Sequence, residues 1–165
     1  MKILFICLII TCCTYIGYGF SSYYRKRLRF FKDTSNFASK MIVEITFSRN
    51  NLREIITNCL SNYGNDFKNL LNNFLVYLND NSTLFSEEIL FKNIKNLSIE
   101  DKQTLFLFFK SLGRYDAESQ IKELENYKMK FNDLKTNAEA DNKKYGGLYI
   151  KLGLMIGLLI AILLI

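Results

Sequence analysis

Residues 3 to 20, ILFICLIITCCTYIGYGF, and residues 148 to 165, LYIKLGLMIGLLIAILLI, constrain this chain more than anything else in it. The first carries no charge and the second only Lys151. A helix of 18 residues is about 27 Å long, close to the roughly 30 Å of a bilayer's hydrocarbon core. Each stretch therefore reads as a membrane span. For the first, the competing readings are a cleaved signal peptide and a lipoprotein signal ending at Cys12. No A-x-A-like site follows it, Thr11 suits a lipoprotein cysteine poorly, and the RKRLR that comes next is a strong stop to translocation. For the second, the competing reading is a buried core helix, which an apolar surface on every side so near the chain end disfavours. Lys151 can snorkel to the interface, with Tyr145 and Tyr149 in the headgroup belt.

Charge placement gives the orientation. The formal charge is +6, yet all 16 acidic residues lie between Asp33 and Asp141 and outnumber the basic ones there. The positive excess sits in Lys2, Arg25, Lys26, Arg27, Arg29, Lys32, Lys143, Lys144 and Lys151, beside the two apolar segments. Cations flanking spans do not form a nucleic-acid groove, so no nucleic-acid partner is expected. By the positive-inside rule the middle of the chain faces the cytoplasm and both termini lie outside. The organisation expected is an N-terminal span in residues 1–24, a basic juxtamembrane linker in 25–35, a cytoplasmic helical bundle in 36–142 and a C-terminal span with its basic flank in 143–165.

The chain has no proline, so helices should run uninterrupted, and no histidine, which excludes His-based chemistry. Residues 36–48 place Phe37, Met41, Ile45 and Ser48 at helical spacing. Residues 51–63 align Leu52, Ile55, Ile56, Cys59, Leu60 and Tyr63, with Gly64 expected as a C-terminal cap. Asp66 is expected to cap a third helix bearing Phe67, Leu70, Leu71, Phe74, Leu75 and Leu78, closed by the turn formers at 79–82. A fourth helix is expected from Leu84 to Ile94, and a fifth from Ser98, with Asp101 as its capping partner. The run Leu105 to Phe109 competes as a strand, but the 3.6-residue period fits better and there is no Asn-Gly or Asp-Gly hairpin turn. From Ala117 through Ile121, Leu124, Tyr127, Phe131, Leu134 and Ala138 a heptad-like stripe runs to the last span, either along its own bundle or toward another chain. The fold class expected is all-α, with about six helices in the bundle.

Four cysteines, three of them inside the first apolar run, make neither a disulfide framework nor a zinc site, and a reducing compartment suits the middle of the chain. There is no P-loop, dinucleotide glycine signature or nucleophile elbow. The acidic pairs Glu87–Glu88 and Glu100–Asp101 point apart on a helix and read as solvated. No enzyme activity, cofactor, metal or small-molecule substrate is therefore expected. Gly153 and Gly157 form a G-x-x-x-G that suits a close helix contact, with the first span or with another subunit. In SLGRYDAESQ, residues 111–120, Gly113 reads as the left-handed residue after the fifth helix and Asp116 as the N-cap of the sixth, reaching the N–H groups near Ser119. Arg114 and Gln120 are required by neither role, and are expected to lock the corner or to face a partner.

The basic end of the first span, MIVEITFSRNNL at 41–52, LGRYDAESQ at 112–120 and the final LYIKLGLMIGLLIAILLI together resemble the stage III sporulation protein AB family of endospore-forming bacteria. The likeness covers essentially the whole chain and is most specific at Leu112, Gly113, Arg114, Asp116 and Gln120. It departs where the family often has Thr-Pro-Leu and this chain has Asn50, Asn51 and Leu52, losing the rigid proline but not the turn chemistry. The resemblance implies a membrane component, on the mother-cell side, of the channel complex joining mother cell and forespore. It also implies a helical domain similar to the platform protein of type II secretion, facing a secretion-type ATPase and other membrane subunits. The alternative is a membrane-anchored coiled-coil regulator that captures a cytoplasmic signalling protein. On the charge argument, a reporter fused after Ile165 should behave as exported and one inserted near Asn81 as cytoplasmic; the reverse pattern overturns it.

Overall fold

The computed structural model describes residues 2–47, 51–79, 85–114 and 116–164. Among them there are seven α-helices: α1 (Lys2–Phe47), α2 (Leu52–Cys59), α3 (Asn65–Asn79), α4 (Glu87–Leu90), α5 (Ile99–Ser111), α6 (Ala117–Tyr145) and α7 (Leu148–Leu164). A short 3₁₀ turn, Leu60–Asn62, follows α2, and the described residues include no strand. The chain is all-helical, as its periodicity predicts.

The residues fall into two compact units, Arg29–Lys135 and the pair Met1–Leu28 with Thr136–Ile165. The first unit is built around aromatic rings. Phe37 of α1 is fully buried, and its ring meets Tyr63, Phe67, Phe108 and Phe109 with centroids 5.6 to 6.3 Å apart. Phe109 in turn lies 4.9 Å from Phe74 of α3, and Phe108 lies 5.0 Å from Phe131 of α6. Mostly edge-on rings at these separations gain an electrostatic term beyond area burial. The expected stripes of α2 and α3 are inward: Ile55, Ile56, Cys59, Phe67, Leu70, Leu71 and Phe74 are all buried. Burial also raises the Tyr63 phenol well above its ordinary value, with Cys59 and Asp33 adding to the effect.

Local signals account for most helix boundaries. At α5, the Ser98 hydroxyl accepts the Asp101 N–H at 3.1 Å while the Asp101 carboxylate accepts the Ser98 N–H at 3.1 Å, a complete capping box. The apolar run Leu105 to Phe109 is helical, with Leu105, Phe108 and Phe109 buried; Leu107, however, is exposed, so this helix has an outer face.

The basic stretch 25–35 is helical within α1, because no proline or glycine interrupts the chain between Phe20 and Phe47. Three expectations are corrected. The fourth helix is one turn, Glu87–Leu90, rather than Leu84–Ile94. Asn93 turns left-handed at φ 67°, and the Asn73 side chain donates to the carbonyls of Leu90 and Lys92, taking acceptors a longer helix would have used internally. Gly64 does not cap α2 in the left-handed region; it precedes α3, where its N–H donates to Asp33 at 2.8 Å and an added Cβ would lie 2.8 Å from Arg29 Nε. Asp66 sits inside the first turn of α3 and accepts from the Asn96 amide at 3.2 Å instead of capping the helix. Ser48, Asn50, the turn at 80–82 and Leu84 lie outside the described residues.

Because Phe109 joins α1, α3 and α5, Phe109→Ala should cost about 3–5 kcal/mol, read as a lower denaturation midpoint of the purified full chain. A loss below about 1 kcal/mol would show that the rings are not the core.

Candidate functional site

The corner between α5 and α6 follows from two backbone requirements. Leu112 leaves α5 in an extended conformation at φ −64°, ψ 127°, and Gly113 then takes φ 76°, a region L side chains rarely adopt. Space is not what demands glycine there, since the nearest atom to an added Cβ is Leu52 Cδ2 at 3.8 Å. The Arg114 N–H reaches back to the Ser111 carbonyl at 3.4 Å.

α6 begins at a true N-cap. The Asp116 carboxylate accepts the Ser119 N–H at 3.1 Å, and the Asp116 carbonyl accepts the Gln120 N–H at 2.9 Å. The Ser119 side chain and then its backbone N–H favour the carboxylate form and hold the Asp116 pKa below its ordinary value. A depressed carboxyl pKa stabilises the fold above the unfolded value, and that contribution fades as pH falls through the lowered one.

Gln120 and Arg114, alternatives in the sequence, part company here. Gln120 is 3% exposed, and its Oε1 accepts the Gly113 N–H at 3.0 Å. It locks the corner by a neutral bond across seven residues. Arg114 is exposed, and no partner holds its guanidinium among the described residues. Tyr115, between them, lies outside the described residues.

Beside the corner is an apolar groove of about 230 Å³, lined by Met41 and Ile45 of α1, Leu52 and Ile55 of α2, and Leu112, Ala117 and Gln120. The sequence placed Met41 and Ile45 on a core stripe. What it lacked was the direction of α2, which leaves part of that stripe open.

Gly153 and Gly157 are in the other unit, where they settle between two expectations. α7 packs on the first part of α1 through them. A Cβ on Gly153 would lie 2.6 Å from the Cys13 carbonyl oxygen, and one on Gly157 would lie 3.1 Å from Ile10 Cα. Gly17 meets the Tyr149 carbonyl as tightly. The close face is thus intramolecular, and the Cys13-x-x-x-Gly17 spacing was the sequence signal for its second half. Phe20 and Tyr24 stack on Tyr149 at 5.6 and 5.9 Å, Ser21 donates to the Gly146 carbonyl, and Arg27 pairs with Asp141 at 3.1 Å.

Two apolar windows in these long helices, of mean hydropathy 1.4 and 2.1, are only 11% and 17% buried. A soluble core helix is mostly buried, so this exposure is consistent with a membrane protein. The acidic pairs make no site. Glu87 and Glu88 open α4 on its exposed side, Glu100 is exposed, and Asp101 is committed to its capping box. Among the described residues no group of three or more Cys, Asp or Glu side chains is placed to hold a metal.

The profile of the stage III sporulation protein AB family matches residues 2–165. No curated protein and no solved structure matches the chain.

With φ 76° at position 113, Gly113→Ala should lower the stability of the full chain by about 1 kcal/mol or more in denaturant unfolding. A variant as stable as the parent would refute the left-handed requirement.

Proposed function

The chain belongs to the stage III sporulation protein AB family, and on that premise we propose that it is a docking subunit of the sporulation channel between mother cell and forespore. Membership carries a role in sporulation, in a family of structural membrane components rather than of known enzymes. Within that role, the bundle Arg29–Lys135 sits in the mother-cell cytoplasm and presents a surface to a secretion-type ATPase. The two apolar helices cross the cell membrane with both termini outside, and join other membrane subunits of the complex.

The observation that carries this reading is the corner itself. Glycine, aspartate and glutamine are each accounted for by backbone geometry, whereas Arg114, next in sequence to the groove residue Gly113, is exposed and held by nothing described. A chain whose charge excess flanks two apolar helices is oriented by those cations, which supports a cytoplasmic bundle. The alternative, a coiled-coil regulator, would need the α6 stripe for its partner, but Leu124, Tyr127 and Phe131 are buried within their own bundle.

Affinity purification of the full chain from sporulating cells should bring down a secretion-type ATPase together with other membrane subunits. Recovery of neither defeats the docking role.

A further inference from the structure

We infer that the basic end of the α1–α7 pair is a binding site for anionic phospholipid, in which Lys151 holds a headgroup phosphate drawn in below the level of Arg25, Lys26 and Lys144. The inference rests on the reading that both apolar helices cross the membrane, and names the lipid chemistry they select.

The first observation is a charge balance. In the unit formed by Met1–Leu28 and Thr136–Ile165 the acidic residues of the sequence are Glu139 and Asp141. Asp141 pairs with Arg27 at 3.1 Å and Glu139 with Lys143 at 3.2 Å. Arg25, Lys26, Lys144 and Lys151 are exposed, and no carboxylate meets them among the described residues. Arg25 lies over the Tyr18 ring at 4.8 Å and Lys144 over the Tyr145 ring at 5.0 Å, contacts that place each charge without neutralising it. The counter-anion for these groups therefore comes from outside the chain.

The second is depth. α1 and α7 run antiparallel, with Gly17 against Tyr149 and Cys13 against Gly153, while Tyr24 stacks on Tyr145 at 5.4 Å and Arg27 meets Asp141. Arg25 and Lys26 therefore share a level with Lys143 and Lys144, and Lys151 lies level with the stretch between Cys13 and Gly17. The helical rise from Gly17 to Arg25 is about 12 Å. Phe20, Tyr24, Tyr145 and Tyr149 stack across that interval as an aromatic belt, which leaves Lys151 on its apolar side. A lysine stem covers only part of the distance, so the phosphate that meets its ammonium has to come inward. The third is direction. Lys151 stands about 200° around α7 from Gly153, whose face meets α1, and Arg25 and Lys26 are about 100° apart on α1. Cations turned to several sides of one helix pair suit lipid headgroups, which surround a span, better than a protein partner, which covers one face. In a low dielectric the deeper charge gains more from its counter-ion and is screened less by salt.

The test reconstitutes the full chain into bilayer nanodiscs of equal phosphatidylglycerol and phosphatidylcholine, and counts by native mass spectrometry the lipids that stay bound on its release. Phosphatidylglycerol should be enriched; Lys151→Gln should lower that enrichment about five-fold, and Lys151→Arg should keep it. In the parent the enrichment should persist at about 1 M salt, where the Debye length is about 3 Å, and in Lys151→Gln it should be lost there. Lys122→Gln, on the exposed face of α6, should change nothing and so controls for net charge. No preference for phosphatidylglycerol, indifference to Lys151→Gln, or loss of the parent's enrichment in salt overturns the inference. So does displacement of the lipid by an equal concentration of glycerol phosphate, which carries the phosphate without the chains. A chain that stays in solution without detergent or lipid defeats the membrane reading as well. One that inserts without selecting phosphatidylglycerol leaves that reading intact and removes only the lipid site.

Discussion

Phe37 is the side chain on which the bundle depends. Fully buried near the end of the longest helix, it is in ring contact with α5 through Phe108 and Phe109, with α3 through Phe67, and with the segment just before α3 through Tyr63. A ring in contact with four others fixes the relative rotation of three helices at once, because aromatic pairs keep a narrow range of separations and tilts. α6 is then held indirectly, by Phe131 and Tyr127 against Phe108. The polar devices around this core, the Ser98–Asp101 box and the Asn73 bridge to Leu90 and Lys92, decide where helices begin and stop.

The corner at Gly113 is placed by the same packing. α5 must present Phe108 and Phe109 inward to its last turn, so the chain can reverse only after Ser111, and only by a left-handed step. Gln120, in the first turn of α6, then accepts the Gly113 N–H to close the reversal. The result is a hydrogen-bonded turn next to residues of α1 and α2.

Small residues serve the other unit as rings serve the first. Gly17, Gly153 and Gly157 let α1 and α7 approach to backbone contact, and in an apolar solvent close packing rather than hydrophobic exclusion holds helices together. Their side of each helix is consumed by that contact, so subunits of a larger complex would have to use other faces.

Much of this was legible in the sequence because the signals were local. Apolar period, the Ser98-x-x-Asp101 spacing, the Gly113 to Asp116 turn and the two uncharged stretches each act through residues a few positions apart, where chain chemistry alone sets the outcome. The absence of proline allowed α1 to continue through a charged stretch, although charge there suggested a break. The division of roles between Arg114 and Gln120, the pairing of Gly153 with Cys13 and Gly17, the use of Gly64 as clearance for Arg29, and the shortening of the fourth helix were decided only by tertiary structure. Each depends on which distant backbone or side chain lies opposite, and a one-dimensional pattern of apolar and polar residues does not encode that neighbour.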